Sequence, residues 1–297
     1  MDKSKSIRTV SICAFAAMLL VNILAQLGVF GGLTAAWVSG LYPTLLTPAA
    51  ATSAIWIAIY AMLGLYVLYQ MNETQQESVD RLFTISCAFN IAWIVLRQYQ
   101  LMPLAAIAIT GLWVSLLLLY RNADSLTRLA RAGFGMYLAW VTMAAAMQIL
   151  VYVTVAFPGT NARLYAQIIA GLTLTAITAY EMAYMIVKRD LPFALAGTWG
   201  MTGILARHAA GNAHMWAYPD MVLISGLLLA TLLLGDGIVI AKLVKQRRPQ
   251  VAAETVVLTA EESAAVSGAD TIAAAFAAEN FAAAEANATP LDAPAAA

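Results

Sequence analysis

Long apolar runs divide the chain, and this feature limits the folds it can adopt more than any other. Each run has about 20 residues, the length that an α-helix needs to cross the hydrocarbon core of a bilayer. Charged residues make up only 11% of the sequence, against about 25% in soluble domains. The alternating segments of ~10 residues that characterise transmembrane β-barrels do not occur. The sequence therefore predicts an all-α, polytopic transmembrane helical bundle.

Eight spans are predicted from the apolar runs. They cover residues 9–30, 52–71, 82–98, 103–120, 133–156, 163–187, 192–208 and 219–243. Thirteen basic residues lie on the N-terminal segment and on every second link after it, whereas the opposite links hold only Arg97, Arg163 and Arg207. The positive-inside rule then predicts that both termini are cytoplasmic. Membrane topology accounts for these basic residues, so no nucleic-acid binding is predicted.

The third predicted span carries a polar face. Steps of three and four residues place Asn90, Trp93 and Arg97 on one side of the helix, and hydrocarbon is a poor solvent for an amide or a guanidinium. Two interpretations stay open. Asn90 forms only an interhelical hydrogen bond while Arg97 reaches the interface, or the face is one wall of a binding cavity.

Polar and aromatic residues on other spans favour the cavity. The sequence places further candidates on the first, second and fifth spans: Asn22, Gln26, Trp56, Tyr60, Tyr137, Trp140 and Gln148. Of these, Asn22, Gln26, Trp56 and Gln148 are predicted at a depth similar to that of Asn90 and Trp93. One buried amide can be explained by helix packing. Four amides on three helices, with tryptophans at the same depth, predict a ligand-binding cavity.

The link between the first two spans, residues 31–53, contains no charged residue. An uncharged link of this length with tryptophan and proline is not typical of a solvated tether. Trp37, Tyr42, Pro43 and Pro48 are therefore interpreted as a lid over the outer mouth of the bundle, with interfacial anchoring of Trp37 as the equal alternative.

Four short motifs follow one another in the first half of the chain: YPTLLTP (42–48), the segment from Ser53 to Tyr60, FNIAW (89–93) and YLAWVTMA (137–144). Their order resembles that of the translocator protein family, also called TspO/MBR or tryptophan-rich sensory proteins. The resemblance covers about residues 9–156. It implies a five-helix bundle that binds porphyrins and other hydrophobic molecules beneath the first long loop. The motif match assigns ligand binding to Trp56, Asn90, Trp93 and Trp140.

The chain departs from the five-helix members of that family. We expect a core at 1–156, three additional helices at 157–248 and a disordered, Ala-rich acidic tail at 249–297. The longer chain, with PFALAGTWG at 192–200, resembles a bacterial branch with extra helices, which implies the plasma (inner) membrane of a bacterium. In the seventh span, Gly197, Gly200 and Gly203 recur every three residues, which predicts a smooth face for close helix packing.

Two acidic residues lie inside the additional spans. Glu181 and Asp236 are each about two turns from a predicted cytoplasmic end. They are interpreted either as a proton or ion site or as interfacial carboxylates paired with lysines. No metal site is predicted, because His208 and His214 are expected in an outer loop without a third ligand nearby.

The predicted function is that of an integral membrane binding protein, a sensor or transporter of a hydrophobic, tetrapyrrole-like small molecule. The alternative is a membrane enzyme that acts on a lipophilic or porphyrin substrate. The sequence contains no hydrolase, P-loop or HExxH motif, which disfavours catalysis, and no cofactor is predicted. The expected partners are the small molecule and membrane lipid, and a homodimer is left open.

Overall fold

A computed structural model gives the structure of the protein and describes residues 3–70, 77–122, 126–161, 163–210 and 218–246. Residues 1–240 form one compact unit. The second unit comprises residues 241–297, of which the described part is the end of a helix, 241–246. The predicted disordered tail, 249–297, lies outside the described residues.

Nine α-helices occur in the described parts of the chain, and no strand occurs there. Their bounds are Lys3–Gln26 (α1), Ala35–Leu41 (α2), Ile55–Gln70 (α3), Glu77–Gln98 (α4), Met102–Arg121 (α5), Arg128–Ala156 (α6), Arg163–Lys188 (α7), Leu191–Ala209 (α8) and Pro219–Gln246 (α9). Seven of them, all except α2 and α8, are long and apolar enough to cross a membrane. The prediction of an all-α, polytopic bundle is confirmed.

The helix boundaries differ from the predicted ones for local reasons. The first span was predicted to reach residue 30, but α1 ends at Gln26 because the chain then turns through Gly28 with a positive φ of 73°. The third span was predicted to begin at residue 82, but α4 begins at Glu77. That glutamate favours the positive end of the helix dipole and pairs with Arg81 one turn later at 3.0 Å.

Five helices form a ring in the order α1, α4, α5, α6 and α3, and α3 closes the ring against α1. Small residues allow close approach within the ring. A Cβ atom at Gly111 of α5 would come within 2.5 Å of the Phe89 ring of α4. We call the boundary between α1 and α3 the seam; these two helices pack against each other less extensively than any other neighbours in the ring.

One end of this ring has a densely packed aromatic core. The ring of Tyr66 lies 5.4 Å from that of Phe83 and 4.7 Å from that of Phe134, both edge to face. The Tyr66 hydroxyl donates a hydrogen bond of 2.7 Å to the buried carboxyl of Asp80. This core ties α3, α4 and α6 together at the end where α4 begins.

The additional helices pack on the ring and on one another. α8 lies against α6, and α7 contacts both. α9 approaches α7 closely, because a Cβ at Gly235 would come within 2.8 Å of the sulfur atoms of Met182 and Met185. All of these contacts belong to residues 1–240.

Candidate functional site

Trp56 lies at the centre of four other aromatic rings, and we call these five residues the Trp56 cluster. Its ring centroid is 5.4 Å from that of Tyr60, 6.0 Å from Tyr137, 6.2 Å from Trp93 and 6.2 Å from Trp140. The three aromatic spans of the sequence analysis thus meet at one place. Trp93, Tyr137 and Trp140 are buried, whereas Trp56 and Tyr60 are half-buried, so the cluster has one accessible side.

A chain of hydrogen bonds runs beside this cluster and crosses four helices. Tyr60 donates to Asn22 Oδ1 at 2.9 Å, Asn22 donates to Asn90 Oδ1 at 2.8 Å, and Asn90 donates to Tyr137 at 3.0 Å. We call these four residues the amide chain. Asn90 is fully buried, and both ends of its amide bind protein groups. The interhelical hydrogen bond considered for Asn90 is therefore present, in a position next to the aromatic rings.

Trp93 connects the cluster to the first loop. Its indole Nε1 donates to Gln148 Oε1 at 3.4 Å, and the Gln148 amide contacts the sulfur of Met102 at 3.5 Å. Met102 in turn packs against Val38 of α2. The guanidinium of Arg97 lies 6.0 Å from the Trp93 ring centroid, within range of a cation–π contact.

Gln26 and Trp140 differ from the other candidate residues in their hydrogen bonds. Gln26 is exposed and lies outside the amide chain. The Nε1–H of Trp140 is buried and has no hydrogen-bond partner among the described residues. A buried donor without an acceptor is uncommon and energetically unfavourable, so this N–H is available to a ligand.

The first loop is held in place by α8, a contact that the sequence analysis missed. The backbone N–H of Ala49 donates to the Gly203 carbonyl at 2.9 Å, and the Trp199 indole donates to the Thr52 carbonyl at 2.9 Å. A Cβ at Gly203 would overlap the Thr52 side chain, so this close approach depends on glycine. The sequence pattern predicted a close-packing face at this glycine but not its partner.

The four predicted lid residues have different surroundings. Trp37 is 62% exposed, as an interfacial anchor would be. The Tyr42 hydroxyl donates to Gln100 Oε1 at 2.9 Å, which ties the loop to the end of α4. Pro43 lines a cavity, and Pro48 is half-buried.

His208 is not in an outer loop, contrary to the prediction. It lies in the last turn of α8, is buried, and its Nε2 donates to the Leu45 carbonyl at 2.8 Å. The predicted span, 192–208, already includes this residue, and α8 ends one residue later, at Ala209. His214 lies outside the described residues, and no group of three potential metal ligands occurs within them.

The two predicted carboxylates approach each other across the additional helices. Glu181 and Asp236 are 1% and 5% exposed, so both are enclosed by protein. Asp236 accepts a hydrogen bond of 2.8 Å from Thr198 of α8, and the adjacent Gly197 faces the Glu181 carboxyl. Both oxygens of Glu181 lack hydrogen-bond partners among the described residues, and Gly197 leaves the space that its carboxyl occupies.

Asp190 forms a second polar centre that was not predicted. Its Oδ1 accepts from the Phe193 N–H at 3.1 Å and so caps α8, while its Oδ2 accepts from Tyr120 and lies 3.8 Å from the Arg131 guanidinium. Burial raises the pKa of the Asp190 carboxyl, although these hydrogen bonds and Arg131 oppose the shift. The Asp-Leu-Pro sequence at 190–192 is typical of a helix start and would have identified the cap.

The fold and its seven membrane-length helices define the protein as a polytopic integral membrane protein. The sequence model of the family described as TSPO-like protein matches residues 8–239. The chain therefore belongs to the TSPO-like protein family, and the match extends through α7 and α8 and into α9. Searches of curated proteins and of solved structures found no match.

Proposed function

We propose that the protein binds a hydrophobic, tetrapyrrole-like small molecule against the Trp56 cluster and acts as a sensor or transporter of that molecule. The observation that carries this proposal is the convergence of four aromatic rings around a half-buried Trp56. Flat aromatic ligands gain both apolar burial and ring contacts at such a place. Membership of the TSPO-like family is consistent with a hydrophobic ligand.

The seam between α1 and α3 provides the route to the cluster. Trp56 and Tyr60 of α3 and Asn22 of α1 border it, and all three are half-buried. Neighbouring residues on both helices are exposed and apolar, with Ile57 at 75%. A membrane-soluble ligand would enter sideways from the lipid and would meet the aromatic faces first.

Polar groups at the cluster would orient the ligand. The Trp140 N–H is an unused donor, and Arg97 supplies a positive charge beside Trp93. A polar or anionic edge on an otherwise flat apolar molecule would satisfy both groups. These features favour a substituted tetrapyrrole over a plain hydrocarbon.

The test is a titration of the full chain in detergent with protoporphyrin, followed by the absorbance of the porphyrin. Loss of one aromatic contact is worth about 1–3 kcal/mol, so Trp93→Ala is expected to weaken binding roughly 5- to 150-fold. Trp113→Ala is the matched control, since its indole bonds to Thr142 and lies outside the cluster. Equal affinities of Trp93→Ala and wild type would refute the proposed site.

The same experiment addresses the enzymatic alternative. Mass spectrometry of the recovered porphyrin reports whether the molecule has been altered. A binder returns it unchanged, whereas a product that requires the folded protein would assign the protein to the enzyme class.

Ion-coupled transport is a second candidate function, favoured by the carboxyls of Glu181 and Asp236. Their burial beside each other and the absence of hydrogen bonds to Glu181 within the described chain make a bound proton or cation energetically favourable. In proteoliposomes, a pH gradient should then drive porphyrin uptake by the wild type but not by Glu181→Gln. Equal uptake by the two proteins would exclude this coupling.

A further inference from the structure

A cavity of about 220 Å³ lies at the end of the bundle, away from the Trp56 cluster. The first loop, the end of α6, the start of α7, the end of α8 and Tyr218 before α9 surround it. Leu45, Leu150 and Ile169 give it apolar walls. None of the five rings of the Trp56 cluster lines it, so it is a separate site.

Arginine side chains gather around this cavity. Arg207 lines it directly, and the guanidinium of Arg163 lies 5.3 Å from the ring centroid of Tyr218, which is also part of the wall. These are two of the three basic residues on the basic-poor links of the chain. Membrane topology disfavours arginine on those links, so their position at one cavity requires another explanation.

Arg207 is free to bind an anion. It is half-buried and makes no ion pair with an acidic residue in the described chain. Asp220, two residues after Tyr218, does not line the cavity, and its carboxylate accepts a hydrogen bond of 2.7 Å from Gln167. A guanidinium beside apolar walls suits a ligand that joins a negative charge to an apolar body.

We propose that this cavity binds an anionic amphiphile, with its charged head at Arg207 and its apolar part against Leu150 and Ile169. The volume of about 220 Å³ is below the ~300 Å³ at which pockets for drug-sized ligands begin. The cavity therefore takes a head group and a short apolar segment. Two sources have this chemistry: a free carboxylate amphiphile and an acidic phospholipid of the surrounding leaflet.

The test uses the full chain in a neutral maltoside detergent and native mass spectrometry to count bound molecules. The anionic probes are octanoate and a short-chain phosphatidylglycerol. The neutral probes are octanol and a phosphatidylcholine with the same chains. Binding of an anionic probe together with weak binding of its neutral counterpart is expected, and equal binding of both would overturn the proposal.

Two variants assign the binding to this cavity. Arg207→Gln removes the positive charge. It is expected to lower the affinity for the anionic probe at least about tenfold, because the probe loses a hydrogen bond to a charged group. Arg121→Gln, which changes an exposed arginine at the end of α5, is the matched control and should retain wild-type affinity. Ala166→Leu fills the cavity without changing charge and should also weaken binding.

The outcomes separate the two sources and the two sites. Octanoate binding alone identifies a free carboxylate ligand, and phosphatidylglycerol binding alone identifies a lipid head group. Wild-type affinity in folded Arg207→Gln or in folded Ala166→Leu would refute the proposal. Trp93→Ala should leave the affinity for either anionic probe unchanged, so failure here is distinct from failure of the proposed porphyrin site. If Arg207→Gln does not fold, Ala166→Leu decides alone.

Discussion

Replacement of Asn90 by leucine tests the amide chain most directly. The side chain of Asn90 makes two interhelical hydrogen bonds, one from Asn22 at 2.8 Å and one to Tyr137 at 3.0 Å. Leucine has a similar size but can make neither bond. The Asn22 amide then loses one of its two acceptors, since its bond to the Met18 carbonyl remains, and the fully buried Tyr137 hydroxyl loses its donor.

The magnitude follows from the number of bonds and from the membrane reference state. Interhelical hydrogen bonds in membrane proteins contribute about 0.6 kcal/mol on average and about 1.7 kcal/mol at most. Two bonds therefore amount to about 1–3 kcal/mol. The leucine side chain compensates for little of this loss, because its transfer from the apolar micelle to the helix interface gains little free energy. Asn90→Leu is expected to lower the free energy of unfolding by that amount.

The assay is reversible unfolding in mixed micelles, followed by circular dichroism. Thr110→Val is a suitable control, because the Thr110 hydroxyl bonds only within α5, to the Ala106 carbonyl. A double-mutant cycle with Asn22→Leu should give a coupling energy above about 0.5 kcal/mol, since the two amides are in direct contact. An unchanged or higher stability of Asn90→Leu would show that the amide faces a ligand or water and not Asn22 and Tyr137.

Two further predictions concern α8. Gly203→Ala should lower the free energy of unfolding by about 1–3 kcal/mol, because the new Cβ would overlap the Thr52 side chain; thermal unfolding measures this. Gly237→Ala, with no atom within 4 Å of the new Cβ, should be neutral or stabilising, and equal behaviour of the two would exclude the loop contact. Because burial raises the pKa of Asp190, the folded state binds that proton more tightly, and stability should fall as pH rises above about 4. Asp190→Asn should flatten this dependence in melting curves recorded between about pH 4 and pH 7, and an unchanged dependence would refute the assignment.

Much of the ring could be predicted from the sequence because helical periodicity is local information. The steps of three and four residues that joined Asn90 to Trp93 also fixed which face of α4 turns inward, and the structure places Trp56 and Tyr137 against that face. Side-chain depth followed from the alternating direction of the spans. Gln26 deviates because α1 ends there and leaves its side chain exposed.

The contacts of α8 could not be predicted in the same way. The bond between Trp199 and Thr52 joins residues 147 positions apart, and no periodicity links them. The glycines at steps of three predicted a close-packing face but not its neighbours. The structure shows that each meets a different group: Glu181 at Gly197, Met143 at Gly200 and Thr52 at Gly203.

The low apolarity of α8 is explained by its surroundings. Lipid-facing helices need large apolar side chains, whereas a helix enclosed by protein uses glycine, alanine and threonine to pack closely. The start of α8 bonds through Asp190 to Tyr120 at the end of α5, and its last turn bonds through His208 to Leu45 in the first loop. Its 19 residues extend about 28 Å, close to the ~30 Å of a bilayer core. α8 therefore joins the two opposite ends of the bundle, and we expect it to form an eighth pass beside the seven apolar helices. An even number of passes would return the chain to the side from which α1 starts, which is the topology that the distribution of basic residues predicts.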